Sequence, residues 1–324
     1  MTEGIQESTS PITSAIGKRV TIRLRDPAGG FRDIVGVLQS ENLLVNAKSE
    51  KVTFNQEEIA IWREIKSLPD RAGTGAPLSM RILELERLSD KTWPAEETLA
   101  YGKWRLRISD GHTMRANSVL PTGAPEFGQP ANDIAESVAD VIKIYQDHNL
   151  TPTFTVPIPL FDSLDSYLSE NGWRLKIAAN FLVRDLAQMA PPENIKYSFE
   201  VNTQPSLPWL ELQGDHHLES IMLRYPAKYV EMKLGEEIIS IGRVATLGGW
   251  SIITRLYVIP ALRGQGVAKK MMNYLMFVAR NDGATKIALQ VDSENRAGLA
   301  LYTGMGFRLH HRYNYRTLES SKSV

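Results

Sequence analysis

Val20, Ile22 and Leu24 alternate with Thr21, Arg23 and Arg25. That is the two-residue period of a strand with one buried face. Pro27, Gly29 and Gly30 follow as a turn. Apolar runs at 34–38, 43–45, 52–54 and 59–62 predict four more short strands. Ser67 to Leu78 then carries two prolines and two glycines without periodicity, which reads as a linker. Far along the chain the period changes. Ala268, Met271, Met272, Leu275 and Ala279 recur at helical spacing, with Lys269, Lys270 and Asn273 opposite them, so an amphipathic helix is predicted there. Just before it, Leu256 and Val258 read as the end of a strand. Pro260 closes that strand, because proline has no N–H to give a ladder.

The five N-terminal strands suit a small SH3-like β-barrel over residues 15–68. Nothing in it resembles a catalytic constellation, and a docking or packing module is the expectation. Residues 1–14 are Ser/Thr-rich, contain Glu3 and Glu7 and have no apolar core. They read as a disordered tail and not as a signal peptide. The linker is placed at 69–80, and a second break falls near Pro191 and Pro192.

The stretches left between these breaks, 81–190 and 195–318, resemble each other. Tyr167 to Leu175 (YLSENGWRL) matches Leu301 to Leu309 (LYTGMGFRL) in outline. Each is preceded by a β-rich run, Thr153 to Val156 and Ile287 to Val291, and followed by another, Asn180 to Val183 and Tyr313 to Arg316. Ser118 to Pro121 stands in the slot of Tyr257 to Pro260. Two α/β units of one plan are the economical reading.

The second unit holds the candidate chemistry. Its strand leads into Arg263, Gly264, Gln265, Gly266, Val267 and Ala268, and then into the amphipathic helix. A glycine turn opening a helix offers unpaired backbone N–H groups and the positive end of the helix dipole to an anion. Glycine also lets the backbone approach a phosphate closely. The first unit has Thr122 to Ala131 in this place, with Pro125 and Pro130 interrupting it; proline removes the donors a phosphate needs.

Composition narrows the partners. Lys plus Arg is 37 and Asp plus Glu is 37, so the net charge is zero, and the footprint of a nucleic-acid binder is missing. No run approaches the roughly 18 apolar residues of a membrane helix. There is no cysteine, which excludes disulfides and thiolate metal sites and agrees with a cytoplasmic location. His216-His217 and His310-His311 are adjacent pairs. As neighbours on a strand they would point to opposite faces, and no partner stands at metal-site spacing, so no metal is expected.

The loop RGQGVA and the downstream run LQVDSENRAGLALYTGMGF at 289–307, in this order and at this distance, resemble the signature of GNAT acetyltransferases. The resemblance implies an α/β (α+β) GNAT fold in tandem: a degenerate GNAT-like unit at 81–190 and an intact, acetyl-CoA-dependent N-acetyltransferase domain at 195–318, behind the small barrel. It implies that backbone groups of Leu256, Tyr257 and Val258 pair with the amides of acetyl-CoA. Amides from Arg263 to Ala268 would hold its pyrophosphate, and Asn295 would bond its arm. Tyr302 would protonate the leaving thiolate; a phenol is neutral at pH 7 and can donate. Many family members carry a glutamate base on the strand before the loop. Here Ser251 to Leu256 has no carboxylate, so a water relay to a backbone carbonyl is expected, with Glu231, Glu237 and Asp292 as alternatives.

Taken whole, the chain resembles an actinobacterial group with an SH3-like N-terminal domain. Trp104 to Arg107 and Arg115 to Pro121 look like that group's signatures. In corynebacteria the group includes an N-acetylglutamate synthase, which begins arginine biosynthesis. L-Glutamate as acceptor is what this implies. Its two carboxylates need cationic partners. Arg115, Arg243, Arg255 and Arg312 are available. Arg115 and Arg255 are favoured, with Asn117, because their predicted strands hold equivalent slots of the two units. Another amine (a protein lysine, a polyamine, a drug) and a non-catalytic acyl-CoA sensor are the rival readings.

Overall fold

The computed structural model describes residues 11–27, 29–46, 50–65, 75–187, 196–214 and 216–319. The chain divides into two compact units, Met1–Pro69 and Asp70–Val324.

In the first unit, β1 (Arg19–Arg25), β2 (Phe31–Ser40), β3 (Leu43–Val45), β4 (Lys51–Thr53) and β5 (Ile59–Glu64) form one sheet in the order β4-β3-β2-β1-β5. The alternation in β1 is realised: Val20, Ile22 and Leu24 are fully buried, with Leu38, Leu44 and Phe54. The five strands are present, but no pairing of β4 with β5 closes them into a barrel among the described residues. Ile12–Ala15 forms a 3-10 helix whose Ile12 and Ala15 are buried in this core. Packing therefore begins inside the stretch read as a tail, and residues 1–10 lie outside the described residues.

The second unit opens with α1 (Leu78–Thr92), so the predicted linker 69–80 ends earlier than expected. Most of that linker, and the break at Pro191 and Pro192, lie outside the described residues. There follow β6 (Glu97–Tyr101), β7 (Trp104–Ile108), β8 (Val119–Pro121), α2 (Ile134–Asp147), β9 (Thr153–Ile158), α3 (Asp162–Glu170) and β10 (Arg174–Asp185). The second half of the repeat is β11 (Ser198–Asn202), α4 (Leu207–Gln213), α5 (Glu219–Leu223), β12 (Lys228–Leu234), β13 (Glu237–Leu247), β14 (Trp250–Val258), α6 (Val267–Asn281), β15 (Lys286–Asp292), α7 (Arg296–Gly304) and β16 (Arg308–Thr317).

All eleven of these strands form one sheet, ordered β11-β12-β13-β14-β15-β10-β16-β9-β8-β7-β6. The halves exchange their last strands. β10 pairs with β15, from Ala179↔Asp292 to Asp185↔Lys286, while β16 pairs with β9, from Arg312↔Ile158 to Thr317↔Thr153. β10 and β16 pair with each other between them. The stretches 81–190 and 195–318 thus share a continuous hydrogen-bonded sheet. On one face α6 buries Met271, Met272, Leu275, Met276 and Ala279 against β12 to β14. No helix among the described residues is long and apolar enough to cross a membrane.

The stretch Met114 to Ser118, expected as a strand, is not one. Met114–Ala116 is a 3-10 helix, and β8 begins only at Val119. Side chains hold the turn: Asn117 accepts from Ser109 N at 2.8 Å and donates to Thr113 O at 2.8 Å, and Ser118 Oγ donates to Met114 O at 2.6 Å. Such bonds compete with a ladder for the same backbone groups.

Candidate active site

β14 and β15 run parallel only from Trp250↔Lys286 to Ile253↔Leu289. Beyond this, β15 stays with β10 and β14 stays with β13, so the two strands part and a cleft opens. A β-bulge marks the parting. Thr254 faces Arg243 and Tyr257 faces Ile241, leaving Arg255 and Leu256 opposite the single residue Gly242. Arg255 has φ +58°, a left-handed conformation uncommon for arginine. Its guanidinium donates to Gln213 O at 3.3 Å and to the Gln213 side chain, at the end of α4.

Two adjoining clefts follow from the opening. One, of about 300 Å³, is lined by Arg255, Leu256, Tyr257, Gln290, Asp292 and Tyr302, among others. The other, of about 500 Å³, runs from Leu256, Tyr257 and Val258 past Arg263, Gly264 and Gly266 to Val267, Ala268 and Lys269, with Asn295 and Tyr302 on its far wall. Gly266 heads α6 with φ +78°, and no side chain among the described residues caps the helix start. Gly264 has φ +74°, and a Cβ at either glycine would meet nothing within 4 Å. The first helical N–H groups have no partner within the helix, so they are available to an anion in this cleft.

The remaining predicted cofactor residues divide by what already engages them. Tyr257 O accepts from Ser240 Oγ at 2.6 Å, and Val258 O accepts from Arg263 Nε at 3.0 Å. Arg263 lies 5.4 Å from the centre of the Tyr257 ring, a cation–π contact. Gln265 donates to Ala261 O at 3.0 Å. Asn295 Oδ1 accepts from Gly298 N at 2.9 Å and so caps α7, which leaves Nδ2 as its group for the cleft. Tyr302, on α7, lines both clefts. Burial raises its pKa above the usual phenol value of 10.0, so near neutral pH it is a proton donor.

A third cleft, of about 400 Å³, joins the first through Ile253, Thr254, Arg255, Gln290, Val291 and Asp292 and adds Trp93, His112, Arg115, Tyr313 and Tyr315. Arg115 and Arg255 therefore line one continuous opening, though Arg115 rises from the 3-10 helix and not from a strand. Its guanidinium donates to the Gln290 side chain and lies 5.9 Å from the centre of Trp93, while its buried Nε has no hydrogen-bond partner among the described residues. Asn117 is buried and committed to the turn around it.

Arg243 is fully buried between Trp93 and Tyr229 and donates to Thr92 O at 3.1 Å and Met222 O at 3.2 Å; its role is to hold α1 against the turn before β12. Arg312 is exposed on β16. Among the three carboxylates considered, Asp292 alone lines the clefts. Glu231 is buried, accepts from Ser206 Oγ at 2.5 Å and pairs with Lys233, and Glu237 is exposed at the start of β13.

The equivalent place in the first half is filled. Asp133 caps α2 by accepting from Ala135 N and Glu136 N, both at 3.0 Å, so the N–H groups left open on α6 are taken there. Trp104 Nε1 donates to Phe127 O at 2.7 Å, and a Cβ at Gly128 would stand 2.5 Å from Pro121. Leu168, fully buried, holds the repeat position of Tyr302.

A family model described as "probable histone acetyltransferase Rv0428c C-terminal" matches residues 79–316. The chain belongs to this family. It is an acetyltransferase of the GNAT type. Among its relatives, the "uncharacterized N-acetyltransferase YobR" of Bacillus subtilis is 27% identical over 249 residues, covering 72% of this chain and 98% of that protein. The "probable histone acetyltransferase Rv0428c" of Mycobacterium tuberculosis is 24% identical over 318 residues, covering 94% and 96%. A GCN5-related N-acetyltransferase from Kribbella flavida shares the fold, with a TM-score of 0.60 at 13% identity over 75% of this chain and 97% of its own. So does a tandem GNAT protein from the clavulanic acid biosynthesis pathway, with a TM-score of 0.52 at 16% identity over 78% and 91%.

Beyond the family's signature, the sequence does not single out two residues of the cleft wall. Gln213 and Gln290 hold the two arginines, and neither carries a local signal. His217, expected as a strand neighbour of His216, lies with it on a 3-10 helix. There its ring stacks on that of His112 at 4.0 Å.

Proposed function

We propose that this chain moves the acetyl group of acetyl-CoA to the α-amine of L-glutamate, as an N-acetylglutamate synthase of arginine biosynthesis in the cytoplasm. Arg115 is the observation that carries the acceptor. It is an arginine in a cleft wall with a neutral amide as partner and an unmatched buried Nε. A carboxylate on the ligand would give that charge the acceptor it lacks. Arg255 stands in the same wall for the second carboxylate. Asp292, between the clefts, suits the ammonium group and can take its proton, directly or through water.

The residues fit acetyl-CoA. The uncapped start of α6 with Gly264 and Gly266 holds the pyrophosphate, and the parted strand edge at Leu256 to Val258 takes the amides of its arm, joined by Asn295 Nδ2. The thioester supplies an activated acetyl group. Tyr302 Oη then gives its proton to the departing sulfur, and the phenol's raised pKa keeps that proton available. In the first half, Asp133, Trp104 and Leu168 occupy the equivalent place, so the 81–190 unit is degenerate and one acetyl-CoA binds per chain. The N-terminal sheet, SH3-like in its strand sequence, serves as a protein-docking module.

Two relatives carry names that point to other acceptors: the mycobacterial "probable histone acetyltransferase" and the "N-alpha-acetyltransferase 30" of Schizosaccharomyces pombe. Asp292 favours any cationic acceptor and supports this second reading. Thiol release from acetyl-CoA with glutamate, glutamine, a polyamine and a lysine peptide separates them. Glutamate should be the preferred acceptor; equal rates with glutamine or the peptide would sink the glutamate reading.

A further inference from the structure

Beside His112, which lines the third cleft, stand a second imidazole and a carboxylate, and the three play no part in the acetyl-transfer reading. We propose that Asp110, His112 and His217 form a binding site for one divalent transition-metal ion of the zinc class. One ligand atom from each lies within 4.8 Å of the others. His112 Nε2 stands 4.0 Å from Asp110 Oδ2, and the His112 and His217 rings stack at 4.0 Å, only 5° from parallel.

The local chain builds half of this set. Asp110 Oδ1 accepts from His112 N at 3.2 Å, a turn in which the aspartate bonds the backbone two residues on. Gly111 between them has φ +86°, the left-handed conformation that glycine adopts freely. His217 arrives from a separate element, the 3-10 helix that follows α4. Zinc bonds of about 2.0–2.1 Å in a tetrahedron set ligand atoms about 3.3 Å apart. The three side chains are exposed, so rotamer changes that part the stacked rings can bring the ligand atoms to that spacing. Two imidazoles with one carboxylate favour zinc, nickel or copper, because magnesium and calcium take oxygen ligands. Three protein ligands leave a fourth position for water.

The placement gives such an ion a consequence. His112 is three residues from Arg115 and shares its cleft wall. His217 follows the helix whose Gln213 holds Arg255. An ion bridging the two segments fixes the separation of these arginines.

The test uses the full untagged chain, stripped with a chelator and titrated with zinc chloride by calorimetry, without acetyl-CoA or acceptor. Its result is therefore independent of the acetyl-transfer reading. One zinc per chain is expected. Asp110→Asn and His217→Ala should each weaken binding by more than about tenfold, the loss that removing even a group behind a ligand brings. His216→Ala should bind as the parent does. Zinc should raise the melting temperature of the parent and not that of His217→Ala; that variant alters an exposed side chain and should fold. A parent that takes up no zinc at concentrations well above that of the protein overturns the proposal, as does a His217→Ala variant that binds as tightly as the parent.

Discussion

Arg115 and Gln290 meet across 175 positions of sequence, the guanidinium donating to the amide oxygen while its buried Nε has no acceptor among the described residues. A charge held by a neutral partner can still gain from an incoming carboxylate. Removing such a charge-assisted contact costs roughly 1.5–3 kcal/mol. Arg115→Ala should therefore raise KM for glutamate by about ten- to a hundredfold and leave the affinity for acetyl-CoA unchanged. Steady-state kinetics with each substrate varied in turn checks this. An unchanged KM would assign Arg115 to holding the third cleft's wall alone.

Tyr302 offers a cleaner separation of binding from chemistry. Tyr302→Phe keeps the ring that packs 6.0 Å from Phe307 and deletes only the donor. kcat should fall by about 10²- to 10⁴-fold, the usual contribution of a general acid, with acetyl-CoA affinity intact. Because burial raises the phenol's pKa, its acid form persists above pH 10, and the alkaline loss of kcat due to this group should lie above that value. A kcat equal to the parent's in single-turnover measurements would return Tyr302 to a packing role.

Much of this site could be read from the sequence because its parts are local. The strand end at Val258, the loop from Arg263 to Gly266 and the apolar face of α6 follow one another directly, and periodicity with glycine placement specifies each. The 3-10 helix at Met114–Ala116 was hidden because Asn117 and Ser118 spend their side chains on the backbone, which hydrophobic period does not register. The exchange of β10 and β16 was hidden for another reason. The alternation of a strand states which face is buried and not which strand lies beside it. His112 and His217 were out of reach for the same reason, since only the fold brings their loops together.

Gly266 tests the anion site. Its positive φ and the open space around it allow an aspartate, which tolerates the left-handed region better than most residues. In Gly266→Asp the added carboxylate would stand at the start of α6 and repel phosphate by bulk and charge. The parent should bind one acetyl-CoA per chain by calorimetry, and the folded variant none. A stoichiometry of two would show that the first half is not degenerate, and unchanged affinity in the variant would move the pyrophosphate elsewhere.

His310 gives a pH dependence. Burial, then the neighbouring His311 and Arg81, push its pKa down to about 4 from 6.5. A group whose folded pKa lies below its unfolded value takes up a proton on unfolding, so it opposes folding as pH falls. Its neutral form is fully compatible with the fold above pH 6.5, and stability is lost as pH drops from 6.5 toward 4. His310→Gln, which cannot be protonated, should melt with a shallower dependence on pH across that window. Parallel melting curves for parent and variant would remove His310 from the acid response.

The exchanged strands make the last prediction. In the sheet β15 has β14 on one side and β10 on the other, and β16 lies between β10 and β9. A fragment starting at residue 195 keeps β15 and β16 but loses β9 and β10, so β16 loses both partners. Tyr313 and Tyr315, buried with Leu85 and Phe181, would face water, and the buried Arg243 would lose Thr92 O and Trp93. Each unpaired buried group costs about 1–3 kcal/mol, against the 5–15 kcal/mol that typically holds a domain together. The fragment 195–324 should therefore show no cooperative thermal transition and bind no acetyl-CoA. The fragment 70–324 keeps every strand of the sheet and should melt cooperatively and bind as the whole chain does. Cooperative melting of 195–324 would mean that β16 can return beside β15, and that the exchange is an option of this fold and not a requirement.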